Sequence, residues 1–386
     1  MSILLTGATG FLGSRIAHLL LTTRARSVIA LGRGEPSALR GRVLRALGAH
    51  GGGMPGEQVR GRLWCVSGDV TQPWLGLSPA LYRRLAQDVD AVWHCAGDIA
   101  LSGERERLHR VNVHGTAQVL EFAATTARQC RMVHVSTMAV AGARPDGHVL
   151  EDELDDSYGF ETHYDASKFA AEQLVRRWAR QHGRPVVVLR PSIVASASAS
   201  VSVSPEEAAG HPLSVLGQMI EAVARGGAPG IPARRPDGTR LRLRLPAAPQ
   251  ATFNIVPDTY ATEAMVRIGH DGSHRGATAH TYHVVHPEPT PIARLIGAIE
   301  QRYPGLRIEC AGGPLPDATE AERFVAAHLT GFLSYSRHTR TYDRTRALAA
   351  TAGLPGPEPI GTEFLQQALG LGDSSVMPSG GALAHG

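Results

Sequence analysis

The sequence predicts an α/β protein: a doubly wound parallel sheet with helices on both faces and a smaller C-terminal substrate lobe. Two observations in the first half of the chain predict the sheet. An apolar strand at residues 3–5 stops at a glycine turn that opens directly into an amphipathic helix, and later short apolar runs alternate with helical patterns up to residue 195. A third observation predicts the lobe, because a chain of 386 residues exceeds a single typical domain.

The N-terminal turn has the spacing GxxGxxG. Glycines there allow a tight turn, a close approach of backbone to ligand, and close packing of helix on strand, as in the dinucleotide-binding Rossmann fold. The helix N-terminus then faces a pyrophosphate. An ordinary glycine-rich turn is the alternative, since 43 of 386 residues are glycine, but the position between strand and helix favours the nucleotide site. The predicted pyrophosphate-binding residues are Gly7, Thr9, Gly10, Phe11, Leu12 and Gly13.

The second strand, at residues 27–31, is followed by Arg33. At this position an acidic residue would bind the 2′-hydroxyl of the adenosine ribose, whereas an arginine would accept a 2′-phosphate. Arg33 therefore favours NADPH over NADH as the cofactor. Arg42 is either a second clamp on that phosphate or part of a solvated helix face.

The third and fourth strands, predicted at 63–70 and 91–97, end in residues suited to the rest of the cofactor. Asp69 and Val70 are predicted to contact adenine, the carboxylate accepting from the amino group; the alternative for Asp69 is a turn or helix cap. Ala96 lets the nicotinamide ribose approach the backbone. Asn112, near the start of a predicted helix at 111–127, is either an internal polar bridge or a helix cap.

The reactive groups are concentrated in a fifth strand at 131–142 and the helix that follows at 162–175. The strand delivers Ser136 and Thr137 at its C-terminal end, where doubly wound sheets bind ligands. The helix carries Tyr164 and Lys168 four residues apart, on one face. An ammonium one turn away would lower the pKa of the phenol, so that Tyr164 can exchange a proton with a substrate oxygen held by a hydroxyl from the strand.

The sixth strand, predicted at 185–194, ends in Pro191, Ser192 and Ile193, whose backbone groups would meet the carboxamide of the cofactor. The stretch at 195–212 is rich in Ala and Ser, and is predicted to be either a mobile lid or a disordered surface loop. The last fourteen residues, 373–386, are predicted to be disordered.

A later strand alternates Arg240, Arg242 and Arg244 with leucines, which predicts a half-buried strand with one basic face. That face would meet the phosphates of a CoA or phosphopantetheine arm or an acidic carrier protein, or it is simply solvated.

Composition excludes several other classes of function. The net charge of +4 comes from 39 Lys and Arg against 35 Asp and Glu, which does not indicate nucleic-acid binding. The four cysteines are far apart and no Cys/His pair has metal-ligand spacing, so no metal is expected. We expect reduced thiols, no membrane segment, no secretion signal and a cytoplasmic location.

These motifs together resemble the extended short-chain dehydrogenase/reductase family, and within it the thioester-reductase and fatty acyl-CoA reductase branch, the male sterility NAD-binding type. The string GD-x-x-x-P-x-LGLS at 68–78 and Thr137 resemble that branch in particular. The other segments that carry the resemblance are TGATGFLG at 6–13, VWHCAGDI at 92–99, NVHGT at 112–116, VSTMAVAG at 135–142, YDASK at 164–168, LRPSIV at 189–194, FNIVPDTYATEAM at 253–265 and RTYDRTRAL at 340–348.

The resemblance implies an NADPH-dependent reductase of acyl thioesters, giving an aldehyde or an alcohol, in which Thr137, Tyr164 and Lys168 are the catalytic triad and Ser136 is its neighbour. The substrate would be a small molecule or an acyl group on CoA or on an acyl carrier protein. The alternatives are a ketone or alcohol oxidoreductase, a nucleotide-sugar epimerase or dehydratase, and a regulatory cofactor-binding protein without turnover. Either a monomer or a homodimer agrees with the sequence.

The predicted organisation has an NADP-binding domain at residues 1–195, rejoined by 250–285, and a smaller lobe formed by 196–249 and 286–372. The sequence departs from the family pattern between 195 and 250, where a substrate loop would be expected, and for that reason substrate identity is left open.

Overall fold

The computed structural model describes residues 1–24, 27–48, 59, 61–127, 130–197, 212–226, 241–272, 274, 276 and 278–371. The strands in these ranges are β1 (Ser2–Thr6), β2 (Ser27–Gly32), β3 (Leu63–Ser67), β4 (Ala91–His94), β5 (Arg131–Val135), β6 (His148–Val149), β7 (Val186–Pro191), β8 (Ile193–Ala195), β9 (Leu241–Leu245), β10 (Thr252–Phe253), β11 (Ile255–Pro257), β12 (Ala279–Val284), β13 (Thr290–Pro291), β14 (Leu306–Cys310) and β15 (Thr341–Tyr342).

The α-helices in the same ranges are α1 (Phe11–Leu19), α2 (Pro36–Gly48), α3 (Pro79–Asp88), α4 (Arg105–Leu108), α5 (Gly115–Thr125), α6 (His163–His182), α7 (Pro212–Ala224), α8 (Asp258–His270), α9 (Ile292–Arg302), α10 (Glu320–Ser334), α11 (Thr345–Ala350) and α12 (Thr362–Ala368). Short π-helices span Leu20–Arg24 and His109–His114, and 3₁₀-helices span Pro73–Gly76, Met138–Ala141 and Tyr335–Arg337. None of the helices described is long and apolar enough to cross a membrane.

Seven of the described strands form one parallel sheet in the order β12, β7, β5, β4, β1, β2, β3. The register places Leu4 beside Ile29 on one side and beside Val92 on the other. The strand order reverses between β1 and β4, and ligands of such sheets bind in the crevice above the carboxyl ends of the strands at that point. The predicted doubly wound sheet is confirmed, and its switch point locates the site.

Helices cover both faces of this sheet. On one face α1, α2 and α8 bury Ile16, Val43 and Met265 against the strands. On the other face α3 and α5 contribute Leu85 and Phe122, and α6 packs beside them. Because both faces are covered, the central strands are buried along their length, as in β7, where all six residues are buried.

A second apolar core defines the smaller lobe. It is built from α7, α9, α10 and α12 around the parallel pair β9 and β14. The rings of Phe253 and Phe332 stack in this core with centroids 4.7 Å apart. A Cβ at Gly217 would lie 1.8 Å from the carbonyl oxygen of Leu369, so α7 can pack against the C-terminal end of α12 only because residue 217 is glycine.

The chain returns from the lobe to the sheet domain after α10. β15 pairs with β6, and Tyr342 joins Val149 and Val285 in a small apolar cluster. Ala347 of α11 lies in the core of the sheet domain. Part of the segment predicted to belong to the lobe therefore packs on the larger domain. A two-residue strand and a six-residue helix carry too little periodicity for the sequence to reveal this.

The strands are shorter than predicted. The third ends at Ser67 rather than 70, the fourth at His94 rather than 97, and the fifth at Val135 rather than 142. The apolar residues that extended the predicted strands are instead buried in turns at the carboxyl edge of the sheet. As a result Asp69, Ala96 and Thr137 lie just beyond the strand ends, at the edge where ligands bind.

Three predictions fall on segments outside the described residues. These are most of the Ala/Ser-rich stretch at 195–212, the first arginine of the basic strand, Arg240, and the C-terminal tail at 373–386.

Candidate active site

The glycine turn after β1 lies close to the loop after β4. Gly7 has a φ of +76°, in the left-handed region that favours glycine, and a Cβ there would lie 2.7 Å from the backbone nitrogen of Ala96. A Cβ at Gly13 would lie 2.0 Å from the carbonyl oxygen of Gly7. The amide of Gly10 donates to that same oxygen at 3.0 Å. The turn thus holds the N-terminus of α1 over the crevice between β1 and β4.

The N-terminus of α1 has the electrostatics of an anion site. No side chain caps the helix at Gly10, and its first turn contains no acidic residue that would oppose a phosphate. The predicted residues Thr9, Phe11 and Leu12 are partly exposed around it. Arg15, which the sequence did not single out, anchors the helix from below.

Arg15 is buried and connects two distant parts of the chain. Its guanidinium lies 3.7 Å from the centroid of the Phe11 ring, and its Nε donates to Asp258 of α8 at 2.6 Å. The two residues are 243 positions apart in the sequence. No local pattern connects them, so this anchor could only be found in the tertiary structure.

Arg33 and Arg42 meet at the end of β2. Both side chains are exposed, and the Arg42 guanidinium donates to the carbonyl oxygen of Arg33. A Cβ at Gly34 would lie 3.6 Å from both terminal nitrogens of Arg42. Arg42 therefore reaches back over the turn instead of extending into solvent as an isolated helix-face arginine. The Arg42 guanidinium thus lies at the turn that follows β2, next to the backbone of Arg33.

Asp69 caps its own turn. Its Oδ1 accepts from the backbone amide of Thr71 at 2.8 Å and from the Thr71 hydroxyl at 2.9 Å. Oδ1 of Asp69 therefore caps the turn, and the predicted contact with adenine depends on Oδ2. Val70 is buried against α5, where a Cβ at Gly115 would lie 3.1 Å from its side chain.

A buried polar chain fixes the backbone of Ala96. The Ala96 amide donates to the Thr6 hydroxyl at 3.2 Å, and that hydroxyl is 2.8 Å from Nδ1 of His94. Nε2 of His94 is 3.0 Å from the hydroxyl of Thr116. Burial, together with the nearby Lys168 ammonium, lowers the pKa of His94 to about 3, so the ring is neutral at physiological pH.

Asn112 is an internal bridge, which decides between the two roles left open by the sequence. Its amide nitrogen donates to the Asp98 carbonyl and to the Ser167 hydroxyl, both at 2.9 Å, and its oxygen accepts from the Asp98 amide at 2.8 Å. The Ser167 hydroxyl in turn donates to the carbonyl oxygen of Tyr164 at 2.7 Å. Asn112 thereby connects the loop after β4 to the helix that carries the tyrosine.

Thr137 and Tyr164 are brought together at the carboxyl edge of the sheet. Thr137 follows β5 and caps the 3₁₀-helix Met138–Ala141, its Oγ1 accepting from Ala139 at 3.2 Å. Tyr164 lies in the first turn of α6, and a side-chain hydrogen bond joins it to Thr137. The two residues predicted to hold and protonate a substrate oxygen are therefore in contact.

The pKa of Tyr164 is raised, not lowered as the sequence suggested. Burial raises it, the hydrogen bond to Thr137 lowers it, and the charge of Asp165 raises it further. Desolvation of the phenolate is the largest of these effects. Tyr164 is consequently protonated at neutral pH, the form that can donate a proton.

Lys168 lies one turn further along α6 and is buried. Its Nζ donates to the carbonyl oxygen of Val135 at 2.8 Å, at the end of β5. Burial lowers its pKa to about 8, while the charges of Glu172 and Cys95 act in the opposite direction. Lys168 is thus mainly an ammonium at neutral pH, held beside the strand end that precedes Thr137.

The Ser136 hydroxyl does not have its predicted role. Its hydroxyl is buried and donates to Oε2 of Glu172 at 2.8 Å. Burial opposes ionisation of Glu172, but Arg190, at 2.7 Å, holds its pKa near 2. Ser136 belongs to this ion-pair network below the site, which corrects the expectation that it contacts substrate.

Pro191, Ser192 and Ile193 lie at the end of β7 and the start of β8. The amide of Ser192 donates to Val284 at 3.2 Å and that of Ile193 to Asn254 at 3.2 Å, so both N–H groups serve the fold. Two of the backbone groups predicted to meet a carboxamide are therefore occupied, and the carboxamide contact itself stays a prediction. Oγ of Ser192, by contrast, is buried and has no hydrogen-bond partner within the described residues. The close-packed glycine turn and this hydroxyl both suit a dinucleotide in the crevice.

The basic strand forms ion pairs within the chain. Arg242 bonds Glu309 on the neighbouring β14 at 2.5 Å. Arg244 bonds Glu322 at 2.8 Å and Asp317 at 3.1 Å. The two described arginines of this face are therefore neutralised by acidic residues of the lobe. This favours a face that binds no ligand over one that binds a phosphate or a carrier protein.

The fold and this arrangement define a nicotinamide-dependent oxidoreductase of the extended short-chain dehydrogenase/reductase type. The family model of the male sterility protein, an NAD-binding domain, matches residues 5–265. The chain belongs to this family. The resemblance inferred from its motifs is confirmed.

Known proteins with similar sequences include a synthase and a reductase. The chain is 34% identical over 192 residues, 49% of its length, to the isonitrile lipopeptide synthase of Streptomyces coeruleorubidus, of which it spans 13%. It is 30% identical over 318 residues, 74% of its length, to the carboxylic acid reductase of Mycobacterium tuberculosis, of which it spans 26%. The chain thus corresponds to a small part of these relatives.

A solved structure supports the fold over nearly the whole chain. The terminal R domain of the myxalamid PKS-NRPS biosynthetic pathway superposes with a TM-score of 0.74 and 23% identity. The match covers 96% of this chain and 89% of that one. The lobe as well as the sheet domain therefore has the architecture of that R domain.

Proposed function

We propose that this chain is an NADPH-dependent reductase that converts an acyl thioester, bound to CoA or to an acyl carrier protein, into an aldehyde or an alcohol. The observation that carries the proposal is the contact between Thr137 and the protonated Tyr164, beside Lys168, at the edge of the sheet where the glycine turn opens. The relatives support it, because their names describe a carboxylic acid reductase and a lipopeptide synthase.

Each side chain of the triad has a role that follows from its position. When bound, the reduced nicotinamide supplies a hydride to the thioester carbon. The Thr137 hydroxyl donates to the oxygen on which negative charge develops, and Tyr164 transfers its proton to that oxygen. Lys168 holds positive charge next to the site and orients the cofactor ribose. The resulting hemithioacetal loses free thiol and leaves the aldehyde.

The preference for NADPH is proposed from Arg33 and Arg42. The Arg42 guanidinium lies at the turn that carries Arg33, and a phosphate dianion there would be bound by charge-assisted hydrogen bonds. The other cofactor-binding residues proposed are the glycine turn, Asp69, Val70, Ala96 and the Ser192 hydroxyl.

The test is to measure oxidation of NADPH, with NADH as control, against a panel of acyl-CoA and acyl-pantetheine thioesters while free thiol is followed in parallel. We expect oxidation matched by thiol release, and the ratio of the two separates aldehyde from alcohol. The Tyr164→Phe variant is expected to lose about 100-fold or more in kcat with NADPH affinity retained. Tyr158→Phe, at an exposed tyrosine nearby, is the matched control.

Other outcomes would assign the chain differently. Oxidation with ketones or aldehydes but without thiol release would favour a carbonyl reductase. Binding of a nucleoside diphosphate sugar would favour an epimerase or dehydratase. Turnover retained in Tyr164→Phe would remove the tyrosine from the mechanism.

A further inference from the structure

Asp165, directly after the proposed proton donor, is an ionisable side chain in the interior. Asp165 is fully buried, and its Oδ1 accepts a hydrogen bond from the Tyr335 hydroxyl. Tyr335 follows α10 of the lobe and is 170 positions away in the sequence. A carboxylate of the catalytic helix is thus bonded to a phenol of the lobe.

The same phenol also reaches the start of the helix. The Tyr335 hydroxyl lies 3.5 Å from Oγ1 of Thr162, the N-cap residue of α6. Thr162 Oγ1 accepts from the backbone amide of Asp165 at 3.2 Å. One hydroxyl of the lobe therefore touches both the cap and the third residue of the turn that presents Tyr164.

Neighbouring contacts fasten the same segment of the lobe to the sheet domain. Nε2 of His338 lies 2.9 Å from the carboxylate of Glu161, just before α6. The Arg340 guanidinium donates to the carbonyl oxygens of Gly142 and Arg144, at 2.5 and 2.9 Å, in the segment after Thr137. Residues 335–340 thus bridge the two segments that carry the Thr137–Tyr164 contact.

We propose that Asp165 and Tyr335 are positioning residues for Tyr164, through which correct seating of the lobe holds the phenol against Thr137 in its proton-donating form. This inference rests on the proposed function, since it assigns the proton to Tyr164. It adds a role for the lobe, because the lobe then supplies part of the framework of the proton donor as well as a wall of the substrate cleft.

The charges around the pair agree with that role. Burial raises the pKa of Asp165 to about 6, against the lowering effects of Tyr335, Thr162 and the Arg340 charge, while Glu161 raises it further. Asp165 is therefore mainly a carboxylate at neutral pH, and its charge raises the pKa of Tyr164. Burial raises the pKa of the Tyr335 phenol, and the charge of Asp165 raises it further.

A carboxylate at position 165 would be energetically unfavourable if the residue served packing alone. A buried carboxylate whose pKa lies above its ordinary value is less stable when ionised than the same group in water, and an apolar contact could join lobe and helix without that penalty. A carboxylate beside the proton donor is useful where the donor must stay protonated.

Two variants separate the charge from the contact. Asp165→Asn keeps an acceptor for Tyr335 and removes the charge, whereas Tyr335→Phe keeps the charge and removes the contact. Tyr282→Phe is the matched control, because the Tyr282 hydroxyl lies outside the site, 2.7 Å from Nε2 of His274. The measurements are kcat and KM for thioester reduction between pH 5 and 10, NADPH affinity, and hydrogen exchange of the backbone amides at 162–168.

For Asp165→Asn we expect kcat to lose the pH-dependent step that the wild type shows near pH 6, because the charge of Asp165, which acts on the Tyr164 phenol, titrates there and is absent from the variant. The difference from wild type should disappear below about pH 6, where Asp165 itself is protonated. KM and NADPH affinity should change less than about twofold, since neither residue is assigned a ligand contact.

For Tyr335→Phe we expect kcat to fall about tenfold and the 162–168 amides to exchange faster, with neither effect in Tyr282→Phe. Unchanged pH profiles in Asp165→Asn together with unchanged exchange in Tyr335→Phe would overturn the inference. A wild-type protein inactive on every thioester would overturn the proposed function instead, and the exchange measurement would still decide whether Tyr335 holds the helix.

Discussion

Arg33 and Arg42 are exposed residues that the fold places together. The position of Arg33 after a strand selects it from the sequence alone, whereas the sequence allows Arg42 to be either a clamp or a solvated side chain. The hydrogen bond from Arg42 to the Arg33 carbonyl brings the Arg42 guanidinium to the turn that carries Arg33. The proposed preference for NADPH rests on these two side chains.

We predict that Arg33→Ala lowers the preference for NADPH over NADH about tenfold or more, because at least one charge-assisted hydrogen bond to the 2′-phosphate is lost. NADH affinity should be nearly unchanged. The measurement is the dissociation constant of each cofactor by fluorescence titration. Arg45→Ala, at an exposed arginine of α2, is the control. An equal loss of NADPH affinity in that variant would indicate a general charge effect.

Ser136 and Thr137 show that adjacent hydroxyls need not share a function. Ser136 is directed into the ion-pair network of Glu172, whereas Thr137 contacts Tyr164. The sequence could identify the strand end but not which hydroxyl faces the substrate, because the strand ended earlier than predicted. The direction of each side chain depends on where the 3₁₀-helix begins.

At the scale of elements, the glycine turn and α1 act as one unit. Gly13 allows the helix to lie against the Gly7 carbonyl, and Gly7 allows the turn to lie against Ala96. Gly10 differs from them, since a Cβ there would meet only the Gly7 oxygen at 3.5 Å, an ordinary contact. The three glycines of the motif therefore have different steric requirements.

We predict that Gly13→Ala destabilises the protein by about 1–3 kcal/mol, because a methyl group cannot occupy the space of a carbonyl oxygen 2.0 Å away. Gly10→Ala should stay within about 1 kcal/mol of wild type, since its φ of −81° suits alanine. Urea unfolding without cofactor measures both. Equal unfolding midpoints for the two variants would contradict this steric account.

At the scale of the molecule, the lobe approaches the sheet domain on both sides of the proposed cleft. On one side Tyr335 bonds Asp165. On the other, α10 passes so close to the loop after β4 that a Cβ at Gly331 would lie 2.5 Å from Cβ of Leu101. Small changes at either contact would move the lobe relative to the reacting groups.

We predict that Gly331→Ala lowers kcat/KM for thioester reduction at least tenfold while NADPH affinity stays within about twofold, because the added methyl displaces the lobe and leaves the nucleotide crevice intact. Steady-state kinetics and cofactor titration measure the two effects. Gly297→Ala, in α9 with open space around its Cβ, is the control and should be as active as wild type. Equal losses in the two variants would point to a general loss of folded protein.

The sequence by itself determined the class of sheet and the order of the motifs, and it predicted the triad. Strands, glycine turns and the Tyr164–Lys168 spacing are local features, set by chain geometry over a few residues, and they can be read without knowing what packs against them. It also identified the nucleotide crevice, because a strand–glycine–helix unit always places the helix N-terminus at the same edge of the sheet.

Only the tertiary structure decided the contacts that join distant segments. Arg15 with Asp258, Asn112 with Ser167, and Asp165 with Tyr335 have no signature in sequence spacing. The pKa of Tyr164 likewise depended on burial, the largest of the effects that shift it. Desolvation and long-range packing act through the folded environment of a residue, and for that reason the protonation state of the donor and its connection to the lobe appear only in three dimensions.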